Sequence, residues 1–179
     1  MSAEVKRYHP ALAALHWLLA IAILLAIGFG SLVLDDMANT SIHKPGLLRM
    51  HITLGILILV FTIVRLIVRA RTAKPAHMVT DSPMMDKLAI AIQHLLYTLT
   101  VLVALAGLAL AFSAKLFAVL YLHVGSLPKD FEGFVAHEVH GILAYILLAA
   151  IAVHVAGALK HHFILKDGIM SRMALFKKD

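Results

Sequence analysis

Residues 134–163 read FVAHEVHGILAYILLAAIAVHVAGALKHHF, an apolar run with a histidine near each end, at His140 and His154. A helix needs about 20 apolar residues to cross the hydrocarbon core of a membrane, so this run predicts a spanning helix. Three more runs meet the same criterion, at about residues 11–34, 47–70 and 88–113. The sequence therefore predicts four spanning helices.

The short linkers between these runs predict how the helices are arranged. Consecutive helices joined by short linkers are antiparallel neighbours, which gives an all-α, integral membrane four-helix bundle of up-down-up-down topology. We expect residues 1–179 to form one transmembrane domain with no soluble domain appended. The first apolar run is about twice the usual 7–15 residues of a signal-peptide core and is interpreted as a retained helix.

The composition supports a membrane protein and excludes several kinds of site. Of the 179 residues, 61% are hydrophobic and only 15% are charged. The chain has 0 Cys, which excludes disulfides, iron–sulfur clusters, covalently attached haem and thiolate zinc sites. The 12 histidines are left as the only plentiful metal ligands.

The positive charges are divided unequally between the two sides of the predicted bundle. Of 16 Lys and Arg residues, 12 fall on one side and 4 on the other, so the positive-inside rule places both termini and the 71–87 linker in the cytoplasm. The larger group is Lys6, Arg7, Arg65, Arg69, Arg71, Lys74, Lys87, Lys160, Lys166, Arg172, Lys177 and Lys178. The basic charge is thus a topology signal, and no nucleic-acid partner is expected because no basic run is interleaved with aromatic residues.

Four histidines within the spans fall into two depths. His16 and His154 lie at the cytoplasmic ends of their helices, whereas His51 and His140 lie at the outer ends. The 14 residues from His140 to His154 return to within about 40° of the same helix face and advance about 21 Å. We therefore expect His16 opposite His154 and His51 opposite His140.

Two haem groups, each held by two histidines, fit this pattern. A porphyrin supplies four nitrogens and needs only axial ligands, whereas a bare metal with two histidines and no carboxylate would be under-coordinated. Gly30, Gly55 and Gly157 are predicted to leave room for the macrocycles, although glycines also serve close helix packing.

Several other polar residues are candidates for contacts with such a cofactor. Arg65 and Arg69 are predicted to bind haem propionates, although snorkelling to the interface is the more favoured role for Arg69. His94, near Tyr97, is a candidate for a propionate contact or for proton relay to a quinone, with structural packing as an equal alternative. His137 competes with His140 as the outer ligand. The remaining histidines, His77 among them, are interpreted as solvated or interfacial.

The ordered set of motifs resembles the bacterial cytochrome b561 proteins, relatives of the cytochrome b subunits of hydrogenases and formate dehydrogenases. The resemblance covers nearly the whole chain. Its motifs are ALHWL around His16, RMHITLG around His51, VRLIVR from Val64, QHLLY around His94, and the fourth helix continuing into HHFILKDGIMSRM from His161.

The resemblance implies a di-haem b cytochrome of the bacterial inner membrane that exchanges electrons with the quinone pool. The tail after the fourth helix is most similar to the superoxide:ubiquinone oxidoreductase branch, which implies a ubiquinone pocket near the inner haem. Lys166 and Asp167 are its candidate contacts, and a basic interfacial tail is the alternative. The donor would be a small molecule or a protein, and the chain a monomer or homodimer in the lipid bilayer.

Two other functions remain to be weighed. The chain could be the membrane anchor and electron conduit of a hydrogenase- or dehydrogenase-type complex, although its loops are short apart from residues 114–133. A cofactor-free structural protein conflicts with the buried histidines.

The predicted outer segments carry little net charge. They hold 4 basic residues, Lys44, Arg49, Lys115 and Lys129, against Asp35, Asp36, Asp130, Glu132 and Glu138. This balance weakens the superoxide interpretation, because a positive surface would steer an anion. A local grouping of Lys44, Arg49, Lys115 and His43 would still create a basic mouth.

Overall fold

A computed structural model describes residues 7–73, 75 and 83–175, and over these residues the chain is helical with no strand. Four long helices are long and apolar enough to cross a membrane, which confirms the predicted fold class. They are α1 (Pro10–Phe29, continued by a π-helical turn, Gly30–Leu34), α2 (Lys44–Arg71), α3 (Pro83–Ser113) and, after the short α4 (Leu116–Tyr121), α5 (Val135–Leu159, continued by a π-helical segment, Lys160–Leu165).

The helices extend beyond the limits expected from the sequence. α3 begins at Pro83 instead of about residue 88, α2 begins at Lys44, and the helical path after α5 ends at Leu165. Hydropathy marks only the part of a helix that matches the hydrocarbon core, whereas backbone hydrogen bonding continues into the polar interface. The first turn of α3, for example, contains Asp86, and a negative charge stabilises the start of a helix.

The short helix α4 lies within residues 114–133, which were expected to form a loop. Leu116 and Leu120 are almost fully buried and pack with Leu34, Leu48 and Ala111 at one end of the bundle. An apolar run this short cannot cross a membrane, but it can cover the ends of the long helices. Leu116 and Leu120 therefore cover the end of the bundle at which α2 begins.

A central apolar layer lies midway along the bundle. α1 packs on α2, α2 on α3, and α3 on α5. Leu99, Leu147 and Ala150 form the buried centre of the layer, and Ile23 and Ile27 of α1 pack against it. Because Leu147 is halfway between His140 and His154 along α5, this layer separates the two histidine depths.

The C-terminal residues fold back against the start of α1. This return segment, residues 166–175, turns at Lys166 and Gly168, both with positive φ, and continues as a short 3-10 helix, Ile169–Met173. The Tyr8 amide donates to the Arg172 carbonyl at 3.2 Å, and the Trp17 indole N–H donates to the Met173 carbonyl at 3.0 Å. The two ends of the described chain therefore lie together at one end of the bundle.

The orientation in the membrane and the single-domain organisation of residues 1–179 stay predictions. Lys6, Lys74, Lys177 and Lys178, which contribute to the charge argument, lie outside the described residues, as does His77.

The side chain of Lys44 is buried and closes the end of α1. It is only 3% exposed, and its ammonium group donates to the carbonyls of Leu34 and Met37. The Leu34 carbonyl ends the π-helical turn after α1 and also accepts from the Met37 amide at 3.4 Å, and Met37 itself lies three residues beyond that turn. Lys44 therefore joins the start of α2 to the end of α1.

We expect Lys44→Met to lower the stability of the protein by about 1–3 kcal/mol, because the Leu34 and Met37 carbonyls each lose a charged donor at a buried or partly buried position. Thermal unfolding in detergent measures the change. Lys129→Met, at an exposed position, is the matched control and should leave the midpoint unchanged. Equal midpoints for both variants would contradict the capping role of Lys44.

Candidate functional site

The four histidines predicted to act in pairs face one another in the structure. The rings of His16 in α1 and His154 in α5 have centroids 6.2 Å apart and planes at 73°. At the other depth, the rings of His51 in α2 and His140 in α5 have centroids 6.1 Å apart and planes at 86°. We call these the inner pair and the outer pair.

The spacing within each pair matches a metal held between two imidazoles. Metal–imidazole bonds of about 2.0 Å, to nitrogens about 1 Å from their ring centres, place two ring centroids about 6 Å apart. Within the described ranges, no group of three or more His, Cys, Asp or Glu side chains could hold a bare metal ion. The histidine ligands occur in pairs, which suits a metal whose other four ligands come from a macrocycle.

His137 does not take part in the outer pair. Its Nε2 lies 3.9 Å from an oxygen of Asp35, and its ring lies against Phe131, with centroids 5.8 Å apart. Of the two candidates for the outer position, the structure therefore brings His140 and not His137 opposite His51.

Two glycines allow close contact with the rings of the outer pair. A Cβ atom on Gly30 of α1 would come within 3.2 Å of His51 Cε1, and one on Gly107 of α3 within 2.9 Å of His140 Cε1. Gly30 thus lies at the predicted depth, but against the histidine ring. The sequence did not indicate a role for Gly107. α3 carries no paired histidine, so the positions of α3 that face the interior of the bundle could not be identified from the spacing. Gly55 and Gly157 have no atom within 4 Å of such a Cβ position, so they leave open space.

Buried polar atoms without a partner flank both pairs. Near the outer pair these are Arg49 Nε and His51 Nδ1, and near the inner pair they are Arg65 Nε and the Tyr97 hydroxyl. Arg Nε and a phenol are donors, so an acceptor oxygen would satisfy them. Sequence reasoning counted Arg49 only as a surface charge, whereas its guanidinium donates to the Leu120 carbonyl and lies over the Tyr121 ring.

Arg65 contacts the inner pair directly. Its Nη2 donates to His16 Nδ1 at 3.2 Å, and its guanidinium lies 5.1 Å from the centre of the Tyr97 ring. The predicted position of Arg65 near the inner histidines thus agrees with the structure, while its propionate partner stays a prediction.

A cleft of about 430 Å³ lies between α2 and α3. Arg69 Nη2 donates to the side-chain oxygen of Gln93 at 3.0 Å at this cleft, and His94 and Tyr97 also line it. His94 Nδ1 donates to the Ile90 carbonyl at 2.9 Å, which leaves its Nε2 available to a ligand. Arg69 and His94, predicted separately, therefore share one cleft.

Asp167 is held by its own chain. Its two oxygens accept from His161 Nδ1 at 2.5 Å and from the Ile169 amide at 3.1 Å. Burial acts to raise the pKa of Asp167, but these hydrogen bonds outweigh it and hold the pKa below its ordinary value. Lys166 is exposed beside a second cleft, of about 440 Å³, formed with His162 and the return segment.

Comparisons with known proteins agree with this geometry. A family model described as prokaryotic cytochrome b561 matches residues 7–174. The chain belongs to the prokaryotic cytochrome b561 family. Membership makes it a membrane protein that binds b-type haem and transfers electrons.

Three relatives are similar along most of their length. The chain is 28% identical over 172 residues to "Probable superoxide oxidase CybB" of Yersinia pestis, covering 94% of this chain and 96% of the relative. It is 30% identical over 179 residues to "Cytochrome b561 homolog 2" of Escherichia coli K12, covering 94% and 91%. "Cytochrome b562" of Cereibacter sphaeroides is 27% identical over 162 residues, with 89% of each chain covered.

The residues of this b561 chain fit a haem group at each pair. The ring spacing suits axial ligation, and the unpartnered donors of Arg65 and Tyr97 suit the carboxylates of a haem edge. His140 Nδ1 donates to the Val103 carbonyl at 2.9 Å, which fixes the ring so that Nε2 is the nitrogen available to a metal.

We expect Gly107→Ala to disrupt the outer pair, because the new methyl group would overlap the His140 ring. The variant should lose most of one b-type component in the reduced-minus-oxidised spectrum while retaining the other. Gly30→Ala, with the longer 3.2 Å contact, should have a smaller effect. Gly28→Ala, with no atom within 4 Å, is the control, and a G107A spectrum equal to that of G28A would contradict the close contact.

Proposed function

We propose that this chain is a di-haem b cytochrome of the bacterial inner membrane that carries electrons from a donor on the periplasmic side to quinone near the cytoplasmic side. The observation that carries the proposal is the presence of two facing histidine pairs at opposite depths of one bundle. His16 and His154 would hold one haem, and His51 and His140 the other. Each haem, when bound, supplies a one-electron iron couple.

The rest of the bundle supports transfer across the membrane. The central layer of Leu99, Leu147 and Ala150 separates the two pairs with apolar side chains. This layer excludes water and ions from the interior, so ions would not cross the membrane along the route that the electrons take. Because His140 and His154 lie on the same helix about 21 Å apart, their depths are fixed relative to each other.

The haem content tests this proposal. We expect two b haems per chain by pyridine haemochrome assay of the detergent-purified protein. His51→Leu and His140→Leu should abolish one spectral component, and His16→Leu and His154→Leu should abolish the other. His137→Leu is the control, because its ring contacts Asp35 and Phe131, and should retain both. A single haem, or loss of crossed components, would overturn the proposal.

The cleft between α2 and α3 is the site that we propose for the quinone. Its polar lining includes the Arg69–Gln93 hydrogen bond and the available Nε2 of His94. A quinone carbonyl accepts hydrogen bonds, and His94 could pass on the proton that its reduction requires. Apolar side chains, Leu66, Val101 and Leu102, line the rest of the cleft and suit a lipid-soluble ring.

The cleft beside Lys166 is the second candidate for the quinone, as predicted from the sequence. Lys166 is exposed there and could donate to a carbonyl, but both oxygens of Asp167 already accept from its own chain. The support for this position is therefore weaker than for the cleft between α2 and α3.

We expect His94→Leu to slow reoxidation of the reduced cytochrome by a short-chain ubiquinone by about 100-fold or more, within the usual range for loss of a proton-transfer group. Stopped-flow absorbance of the reduced haem measures the rate, and the unreacted spectrum shows that both haems are retained. Lys166→Met is the matched variant and should react at the wild-type rate. The reverse result would assign the quinone to the cleft beside Lys166.

Superoxide is the first candidate donor, because the Yersinia pestis relative is named a probable superoxide oxidase. Lys44 is buried and Arg49 is half-buried, and both donate to backbone carbonyls of this chain, so neither charge lies on an open outer surface. The exposed outer charges are Lys115 and Lys129 against Asp35, Asp36, Asp130, Glu132 and Glu138. Capture of an anion would therefore depend on contact at the outer pair and not on long-range attraction.

The alternative function, an anchor and conduit for a larger redox subunit, gains little support. Leu116 and Leu120, within the longest loop, are buried against this chain's own helices, so these two side chains are not available to a partner, whereas Tyr121 and Leu122 are exposed. Purification of the chain with a larger redox subunit would favour that function.

A further inference from the structure

The cleft beside Lys166 lies where the last spanning stretch of the chain ends. That stretch, Val135–Leu165, has 31 residues and rises about 45 Å, close to the thickness of a bilayer with its headgroups. Lys166 follows it directly, and the positive φ angles of Lys166 and Gly168 turn the chain so that the return segment lies beside the end of the helix. The cleft between them, of about 440 Å³, is therefore at the depth of the lipid headgroups.

The residues around this cleft carry an excess of positive charge. Residues 160–175 contain 3 basic residues, Lys160, Lys166 and Arg172, and 1 acid, Asp167, which leaves a formal charge of 3 − 1 = +2. Both oxygens of Asp167 already accept hydrogen bonds from this chain. The excess is larger than the roughly half negative charge that the carbonyl end of a helix carries. The cleft therefore favours an anion.

Apolar side chains lie beside this charge. Phe163, Ile164 and Leu165 form the last residues of the span and are exposed, Ile164 by 72%. Met170 of the return segment lines the cleft itself. Because these side chains are at the edge of the bilayer, acyl chains can cover them. A ligand that matches both features has a negatively charged head and an apolar tail.

A phosphate head fits the cleft better than a quinone head does. Hydrogen bonds between a lysine ammonium group and a phosphate are charge-assisted and roughly twice as strong as those between neutral groups. A quinone carbonyl is neutral and gains less from the same lysine. The exposed ammonium group of Lys166, in the lining of the cleft, therefore favours a phosphate.

We propose that the cleft beside Lys166 binds the headgroup of an anionic phospholipid of the surrounding bilayer. The ammonium group of Lys166 donates to the phosphate, and the acyl chains lie along Phe163 and Ile164. The bound lipid joins the end of the helical path after α5 to the return segment, which in turn hydrogen-bonds to Trp17 in α1. The proposal does not depend on the number of haem groups that the chain binds.

Native mass spectrometry of the haem-loaded, full-length protein in detergent gives the test. The protein is titrated with phosphatidylglycerol, which is anionic, and separately with phosphatidylcholine of the same acyl chains, which has no net charge. We expect the wild-type protein to bind a first phosphatidylglycerol about fivefold or more tightly than phosphatidylcholine, the factor expected for one basic residue near an anionic lipid. Lys166→Met should lose this preference.

Two further variants make the result specific to the cleft. Lys166→Gly removes the same charge at a position whose positive φ suits glycine, so it should lose the preference without straining the turn. Arg71→Met removes an exposed charge at the end of α2 and should keep the preference. An equal loss in R71M would indicate attraction by overall charge and would overturn the proposal. A wild-type preference in both K166M and K166G would overturn it as well.

Competition identifies the group that the cleft binds. Because the acyl chains contribute to binding, neither inorganic phosphate nor a short-chain ubiquinone, at the concentration of the lipid, should displace phosphatidylglycerol. Displacement by inorganic phosphate would indicate a site for free phosphate, and displacement by ubiquinone would assign the quinone to this cleft. Either result would overturn the proposal.

Discussion

The placement of two histidines on one face of α5 is the constraint on which the rest of the structure depends. His140 and His154 are fixed 14 residues apart on one rigid helix, so a partner ring must arrive at each of two depths. α2 brings His51 to one depth and α1 brings His16 to the other. α3 contributes no histidine ring. It packs on both α2 and α5 and so fixes the distance between these helices, from which His51 and His140 face each other.

Small residues and capped helix ends make this arrangement possible. Gly30 and Gly107 let neighbouring helices approach the outer rings more closely than any other residue would allow. Lys44 and Arg49, which look like surface charges in the sequence, instead donate to carbonyls at the ends of α1 and α4. In a membrane, backbone carbonyls without a donor are costly, so these two cations add to the stability that apolar packing provides.

Much of the fold and the pairing of the histidines could be predicted from the sequence, because both depend on one-dimensional distances. Hydropathy located the four long helices, and the rise per residue predicted which histidines share a depth. The helices are apolar on nearly all sides, so the sequence could not indicate which face of α3 turns inward, and Gly107 was missed. The short helix α4 and the inward turn of Lys44 depend on tertiary contacts between distant residues, such as Leu120 with Leu34, that no local pattern records.

The part played by α5 has a consequence for how the protein is made. α5 supplies one ring to each pair, and the return segment that follows it hydrogen-bonds to Tyr8 and Trp17 at the start of α1. Neither pair is complete until the last of the four long helices has entered the bilayer. Translation and insertion must therefore be almost finished before either histidine pair exists. A chain interrupted before residue 140 would carry His16 and His51 without the rings that face them in the complete bundle.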